Sequence, residues 1–451
     1  MSEESQLARL GLFDARVPRY TSYPTAPQFR DSITPAHHRQ WIGAIPPGSR
    51  ISLYLHVPFC RRLCWFCACR TQGTNSDGPV RDYVEVLLAE LALLREVLPP
   101  GVSLARLHWG GGTPTLLPPD LIARLAAAIH EVAPLAEGGE FSVEIDPNEI
   151  DGPRLDALVA AGMNRASIGV QDFDPAIQKV IGRDQSFEIT RAAAQMLRAR
   201  GIASLNADIL FGLPDQSPQR ISDSVQKLLT LEPDRVALYG YAHVPWMARR
   251  QVMIPSDRLP RPEARLHLFE TARLLFLTDG YEEIGIDHFA RPSDSLAIAA
   301  REGRLRRNFQ GYTDDTAEVL IGIGASAISR FPQGYTQNSP ATSAHVKAIR
   351  GGAFSTARGH EFTDDDRLRG RAIEALMCDF RADSRELCRI DGATPDKVAA
   401  LFGKAREEFG EMVKLEDGIL SIPEHARPLT RMIARSFDAY SLSSAGHSTA
   451  I

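Results

Sequence analysis

The chain has 451 residues, 44% of them hydrophobic and 24% charged, with a formal net charge of −5. That length accommodates two or three domains, one with a large core, and the balance is that of a globular protein. The acidic excess argues against bulk attraction to nucleic acid or anionic lipid. No apolar run approaches the ~18 residues of a membrane helix, and Glu3 and Glu4 stand where a signal peptide would carry basic residues. A cytoplasmic protein is therefore expected, and an anionic ligand would need a local pocket of Arg and Lys.

In chain order, residues 1–50 carry little regular pattern. Val17-Pro18-Arg19-Tyr20-Thr21-Ser22-Tyr23-Pro24-Thr25 reads as an extended segment, because its two prolines suit neither helix nor central strand. It is either a packed linker or an arm laid over an active site. From residue 51 strands and helices alternate. Strands are expected at Ile51–Val57, Ala105–Trp109, Glu140–Ile145, Ala166–Val170, Ala203–Phe211 and Val236–Tyr241. Helices are expected at Val80–Leu98, Leu121–Val132, Arg154–Ala161, Ile189–Arg200 and Ser222–Leu229. This rhythm implies parallel pairing with right-handed crossovers.

Further on, Glu263–Asp279 reads as a helix, Tyr281–His288 as one strand, and Glu318–Ile328 as an apolar stretch punctuated by glycine. Helices are expected at Asp364–Phe380, Pro395–Phe409 and Pro428–Phe437, with a hairpin near Val413–Ile422. The Ser/Ala/Gly-rich tail after Tyr440 reads as frayed. The organisation expected is an arm at 1–50, an α/β unit at 51–345 and a mostly helical unit at 362–451.

Four of the six cysteines fall between Cys60 and Cys69, directly after the first strand, in the spacing Cys-x3-Cys-x2-Cys-x-Cys. Three thiolates on one tight loop can grip three irons of a 4Fe–4S cube and leave one iron open. A zinc knuckle would use the same atoms, but no second Cys or His cluster follows. A disulfide lacks any sign of an oxidising compartment. Every other strand end also carries something unusual: Gly110-Gly111-Gly112-Thr113-Pro114, Glu144, Gln171, Asp208 on the fifth strand, and Tyr241-Ala242-His243. In this kind of architecture function gathers at the carboxyl ends of the strands.

With these residues in view, the chain resembles the oxygen-independent coproporphyrinogen III oxidases, a family of radical S-adenosylmethionine (SAM) enzymes of haem biosynthesis. Cys60, Cys64 and Cys67, with Phe66 before the last, match the signature. The resemblance also rests on Pro18-Arg19-Tyr20-Thr21-Ser22-Tyr23-Pro24, His108-Trp109-Gly110-Gly111-Gly112-Thr113-Pro114, Tyr241-Ala242-His243-Val244-Pro245 and Arg307-Asn308-Phe309-Gln310-Gly311-Tyr312-Thr313. Ala68 stands where the family more often has Gly.

The resemblance implies a partial (β/α)6 radical-SAM barrel, an N-terminal arm over the active site and a smaller helical C-terminal domain. It implies a 4Fe–4S cluster on Cys60, Cys64 and Cys67 and two molecules of SAM. The first would touch Tyr54, Gly111, Glu144 and Ile328; the second would touch Phe66, Gly112, Thr113, Gln171, Arg183, Asp208 and Ala242. Cleavage of SAM would give a 5′-deoxyadenosyl radical that starts decarboxylation of two propionates of coproporphyrinogen III, forming protoporphyrinogen IX.

Tyr54, His56 and Cys69 are the catalytic candidates. Cys69 would be a hydrogen or proton donor, or a packed thiol, and His56 a hydrogen-bonding neighbour of ligand or cluster. The arm and the helical unit are candidate lids, and Arg19, Arg306 and Arg307 candidate anchors for substrate carboxylates. The expected partners are coproporphyrinogen III and a reduced carrier such as flavodoxin or ferredoxin, with no nucleic acid and no membrane, and the chain is expected to be a monomer. A haem-binding chaperone that keeps the barrel without oxidase activity is the alternative, and an unrelated radical methylase or mutase fits the triad but not the arm.

Overall fold

The computed structural model describes residues 5–440 and 449–451. The tail expected to fray after Tyr440 therefore lies largely outside the described residues. Six parallel strands form the centre: β1 (Arg50–Val57), β2 (Ser103–Gly111), β3 (Leu135–Ile145), β4 (Arg165–Gln171), β5 (Ser204–Phe211) and β6 (Arg235–Gly240). They lie side by side in sequence order. Between them run α1 (Gly78–Val97), α2 (Pro119–Val132), α3 (Gly152–Ala160), α4 (Pro175–Ile181), α5 (Phe187–Ala199) and α6 (Pro218–Leu229). This is the expected parallel α/β arrangement.

Local chemistry sets the boundaries. Asp151, Asp174, Ser186 and Ser217 each accept a backbone N–H of the following helix, satisfying donors that the first turn cannot pair. α6 turns Ile221, Val225 and Leu228 to the sheet, while β1 is buried along almost its whole length, as a strand covered on both faces must be. The shared core runs from Leu53 and Leu55 through Trp109, Phe141 and Ile209 to Val236.

The sheet continues past both ends of this set. After α7 (Pro262–Thr278) come β7 (Glu282–Ile284) and β8 (His288–Ala290), with β8 antiparallel to β6. Beyond them β9 (Leu320–Ile323) pairs parallel with β1, followed by antiparallel β10 (Ile328–Phe331), β11 (Gly334–Asn338) and β12 (Thr356–Glu361). The result is twelve strands in the order β12-β11-β10-β9-β1-β2-β3-β4-β5-β6-β8-β7, whose outer strands do not pair with each other among the described residues.

Several sequence expectations change. The single strand expected at Tyr281–His288 is a hairpin, because Gly285 adopts φ +56° and turns the chain between β7 and β8. The stretch at Glu318–Ile328 contains a second turn, made where Gly324 (φ +100°) and Ser326 (φ +65°) enter the left-handed region. Residues 1–50 are also more regular than expected. Thr34, Pro35 and His37 start a helix over Pro35–Gly43 with a capping box, and its Trp41 and Ile42 pack into the barrel core.

The C-terminal part holds α8 (Asp364–Asp379), α9 (Pro395–Phe409) and α10 (Thr430–Ser436), with a small sheet that includes the hairpin Lys414–Glu416 and Ile419–Ser421. The helix expected from Pro428 starts later, because Glu424–Leu429 is a tighter 3-10 turn. This unit has its own core, and Leu12, Val17, Tyr20 and Tyr23 of the N-terminal segment belong to it. Tyr20 donates to Asp438 Oδ2 at 3.0 Å and Tyr23 Oη accepts the Ala439 N–H at 3.0 Å.

Candidate active site

β1 delivers the chain into the cysteine loop, and short-range pairing then closes the loop on itself. Phe59–Cys60 pairs with Gln72–Gly73, with the Gln72 N–H donating to Pro58 O (2.7 Å) and the Thr74 N–H to Cys60 O (3.0 Å). The other wall is α4 and the turn after it. Gly182, at φ +67°, has no side chain to meet the Trp65 ring; a Cβ there would lie 2.8 Å from it. The Trp65 N–H donates to Ile181 O at 2.9 Å. This stacking puts Arg183 beside the loop, its Nη1 3.5 Å from Cys64 Sγ and its Nη2 2.8 Å from Gly169 O.

All six cysteines are free thiols, so no disulfide competes for the loop. Burial pushes Cys60 up to about 11 and raises Cys64, the latter opposed by Arg183. Cys67 is drawn down, chiefly because Cys69 donates a hydrogen bond to it. Among the described residues no three Cys, His, Asp or Glu side chains converge as a single metal ion would need. A cube asks for a different arrangement, one thiolate on each of three irons. Three free thiols on one loop, with a buried guanidinium against them, fit that donor set.

The Gly-rich turn after β2 lies against the loop base. The Gly112 N–H donates to Val57 O and the Thr113 N–H to Phe59 O, both at 2.7 Å. A Cβ on Gly112 would sit 2.4 Å from Phe59 O, and one on Gly111 (φ +111°) 2.5 Å from His56 Nδ1. Both positions call for glycine, because the turn packs directly against the end of β1 and the base of the cysteine loop.

Inside the strand ends, polar groups face one hollow. Tyr54 is in register with His108 on one side and Gly322 on the other, and its ring stacks on His108 with centroids 5.7 Å apart. A Cβ on Gly322 would meet Ile328 O at 2.6 Å, so Ile328 sits over the same strand edge. His108 contacts Glu144 Oε1 at 3.3 Å, and Glu144 Oε2 accepts the Gly111 N–H at 3.0 Å. Burial pushes the Glu144 carboxyl up, but these partners outweigh it and hold it below the ordinary range, while 42% of the side chain still faces the hollow. Asp208 is pushed up to about 6 by burial and by the Glu144 charge, with Asn206 donating to it at 2.9 Å. Gln171 ends β4 at φ +70°, a conformation a non-glycine residue adopts only when its surroundings impose it.

The catalytic candidates separate. His56 bridges Tyr54 Oη (3.0 Å) and Arg70 O (3.3 Å), and burial lowers its affinity for a proton. It ties β1 to the returning arm of the loop. Cys69 is exposed, and its N–H donates to Cys67 Sγ at 3.4 Å. Of the three candidate anchors, Arg19 reaches Gly240 O (2.6 Å) and Arg307 reaches Arg19 O (3.4 Å), both lining one large cavity. Arg306 lies outside that cavity, folded back on Leu305 O.

One residue in this region escaped the sequence reading. Gln251 is fully buried; its Nε2 donates to Phe66 O (2.7 Å) and Ala242 O (3.0 Å), and its Oε1 accepts the Val244 N–H (2.6 Å). It fastens the cysteine loop to the end of β6. Nothing in the local sequence marks it, since its partners lie as far as 185 residues away.

A cysteine triad on the loop after the first of six parallel strands, above a Gly-rich cradle and paired acids, defines a class. Residues 54–228 match the sequence model of the radical SAM superfamily, whose members carry a 4Fe–4S cluster and SAM. The oxygen-independent coproporphyrinogen III oxidase of Paracoccus denitrificans is 66% identical over 451 residues, covering 100% of both chains. That of Escherichia coli is 36% identical over 441 residues, covering 96% of this chain and 95% of its own. The solved structure of the Escherichia coli coproporphyrinogen III oxidase, described as a radical SAM enzyme, superposes with a TM-score of 0.90 at 34% identity, covering 97% of this chain and 99% of that one. The chain belongs to the oxygen-independent coproporphyrinogen III oxidase family.

Proposed function

We propose that the chain converts two propionate side chains of coproporphyrinogen III to vinyl groups, giving protoporphyrinogen IX without oxygen. The likeness to family members from end to end, with the cysteine triad set at the strand mouths, carries this reading. Cys60, Cys64 and Cys67 would hold the cluster, whose fourth iron takes SAM. When bound, the cluster and SAM supply a carbon radical able to remove a hydrogen atom from a propionate β-carbon. Loss of carbon dioxide from each propionate, with one electron passing to an external one-electron acceptor, would leave the vinyl group.

The chain's own residues position and enclose. Glu144, kept ionised by His108 and the Gly111 N–H, suits an α-ammonium group, and Tyr54, Gly111 and Ile328 complete the first SAM site. A second SAM would lie along Phe66, Gly112, Thr113, Gln171, Arg183, Asp208 and Ala242. There Arg183 offers a guanidinium to a carboxylate, and Asp208 offers oxygens to ribose hydroxyls. His56 and Gln251 hold the loop geometry. The segment around Arg19 and the C-terminal helical unit close the hollow against water, which a radical reaction requires.

The reading takes the chain as a cytoplasmic monomer served by a reduced flavodoxin or ferredoxin. No helix among the described residues is long and apolar enough to cross a membrane. Anaerobic incubation of reconstituted protein with coproporphyrinogen III, SAM and reductant tests the reading. Formation of protoporphyrinogen IX supports it. Tight haem binding without turnover contradicts it.

A further inference from the structure

A cavity of ≈ 700 Å³ opens between the ends of β5 and β6, α7, the C-terminal helical unit and Arg19. Six arginines line it. Two are already neutralised: Arg273 pairs with Glu283 (3.1 Å) and Glu424 (3.0 Å), and Arg427 with Glu283 (3.0 Å). The other four, Arg19, Arg265, Arg307 and Arg431, have no Asp or Glu carboxylate within ion-pair distance among the described residues. They are held by backbone oxygens instead. Arg19 donates to Gly240 O (2.6 Å), Arg265 to Tyr241 O (2.8 Å) and Ile451 O (3.1 Å), and Arg431 to Pro18 O (3.1 Å) and Thr449 O (3.0 Å). Arg307 is 9% exposed; its guanidinium lies over the Tyr312 ring at 4.4 Å, and its Nε and Nη1 have no hydrogen-bond partner among the described residues.

A buried charge without a counter-charge is costly. The acid facing this group is Asp287, already bonded to His288 Nδ1 at 2.7 Å. Burial and the neighbouring Arg19 push Arg265 down to about 10, and burial with Arg19 and Arg307 pushes Arg431 down to about 9. Room for the cluster is built into the strand ends. Gly212, at φ +81°, leaves the space where a Cβ would meet Arg265 Nη1 at 2.5 Å. Four fixed guanidiniums, of which Arg19, Arg307 and Arg431 share Asp287 as their one neighbouring acidic side chain, call for an anionic ligand with more than one charge, and planar forks match carboxylates.

Resting on the function proposed above, we propose that Arg19, Arg265, Arg307 and Arg431 form a preformed site for two carboxylate arms of the tetrapyrrole. The site lies beside Ala242, so a tetrapyrrole held there by two arms can direct another toward the mouth of the barrel. Of the anchors expected from sequence, Arg19 and Arg307 belong to it and Arg306 does not. Arg265 and Arg431 complete it.

The wild-type protein is titrated anaerobically with coproporphyrin III, which keeps the four carboxylates, and with its tetramethyl ester, which has none. The acid should bind at least about 30-fold more tightly, in the range expected for charge-assisted hydrogen bonds; equal binding overturns the site. In kinetics, Arg265→Gln and Arg431→Gln should each raise KM for coproporphyrinogen III roughly 10- to 100-fold. Iron content and substrate-free SAM cleavage should stay at the wild-type level, and Arg→Lys at each position should recover part of the loss. A KM within about twofold of wild type in both Gln variants overturns the site even if turnover is normal. Wild-type protein that binds the acid and not the ester, yet makes no protoporphyrinogen, keeps the site and overturns the oxidase reading.

Discussion

Adding one methyl group at Gly112 should disable the site while leaving every functional side chain in place. The new Cβ would lie 2.4 Å from Phe59 O and 2.9 Å from Phe59 C and N. An ordinary carbon–oxygen contact is ~3.3–3.6 Å, so the two segments must part by about 1 Å. The obstacle is backbone, and it is pinned: the Gly112 and Thr113 N–H groups reach Val57 and Phe59 at 2.7 Å, and Thr74 reaches Cys60 O at 3.0 Å. The displacement therefore passes to the base of the cysteine loop or to the cradle itself. A misplacement of ~1 Å costs about 10²-fold in rate, and overpacking costs about 1–3 kcal/mol in stability. Anaerobic turnover and SAM binding of Gly112→Ala should fall accordingly, with a modest loss in the thermal midpoint. Gly403 lies in α9 with nothing within 4 Å of its Cβ position, so Gly403→Ala should be silent in activity and slightly stabilising. Gly112→Ala with activity within about threefold of wild type would refute the argument that this close approach shapes the site.

Three further outcomes are expected. Gln251→Leu leaves the Phe66 and Ala242 carbonyls and the Val244 N–H without their partner, at up to about 1–3 kcal/mol for each group that water cannot reach. Hydrogen exchange should quicken across residues 64–70, and unchanged exchange there would show that Gln251 is not the fastener. Asp208, raised to about 6, binds its proton more tightly folded than unfolded, so its contribution to stability is present at low pH and is lost as pH climbs through about 6. Because the ionised form is the better acceptor for ribose hydroxyls, SAM affinity should rise over the same interval, and Asp208→Asn should flatten that rise; a slope that persists in Asp208→Asn assigns it to another group. Cys69→Ser should keep iron at the wild-type level if Cys60, Cys64 and Cys67 are the ligands, as proposed; loss of iron would show that the proposed ligand set is wrong.

Much of the barrel was legible because parallel strands covered on both faces are short apolar runs, and those at Leu53–Val57 and Ile209–Phe211 stand out between helical stretches. The cysteine loop was legible for a different reason: Cys60, Cys64 and Cys67, the proposed ligands, lie within eight residues, so spacing alone exposes them. The turns at Gly285 and Gly324 were hidden inside continuous apolar text, where a glycine is as common in a strand as in a turn. Pro35–Gly43 carried a readable cap at Thr34 and Pro35 but too short an apolar stripe to stand out. Least legible were Gln251 and the convergence of Arg265 and Arg431 on Arg19 and Arg307. Each depends on segments far apart in sequence, and a lone Gln or Arg looks the same whether it is solvated or buried against carbonyls. Local chemistry is written locally, whereas the arginine-lined cavity exists only where segments distant in sequence pack together.

The proposed chemistry depends on an iron–sulfur cube held by Cys60, Cys64 and Cys67 with one iron open to SAM. Protein isolated without air, then reduced and examined by electron paramagnetic resonance before and after SAM is added, reports on it directly. The account predicts iron and sulfide in the ratio of a 4Fe–4S cluster and a signal whose shape changes when SAM binds. Zinc in place of iron, or a cluster signal indifferent to SAM, would contradict it.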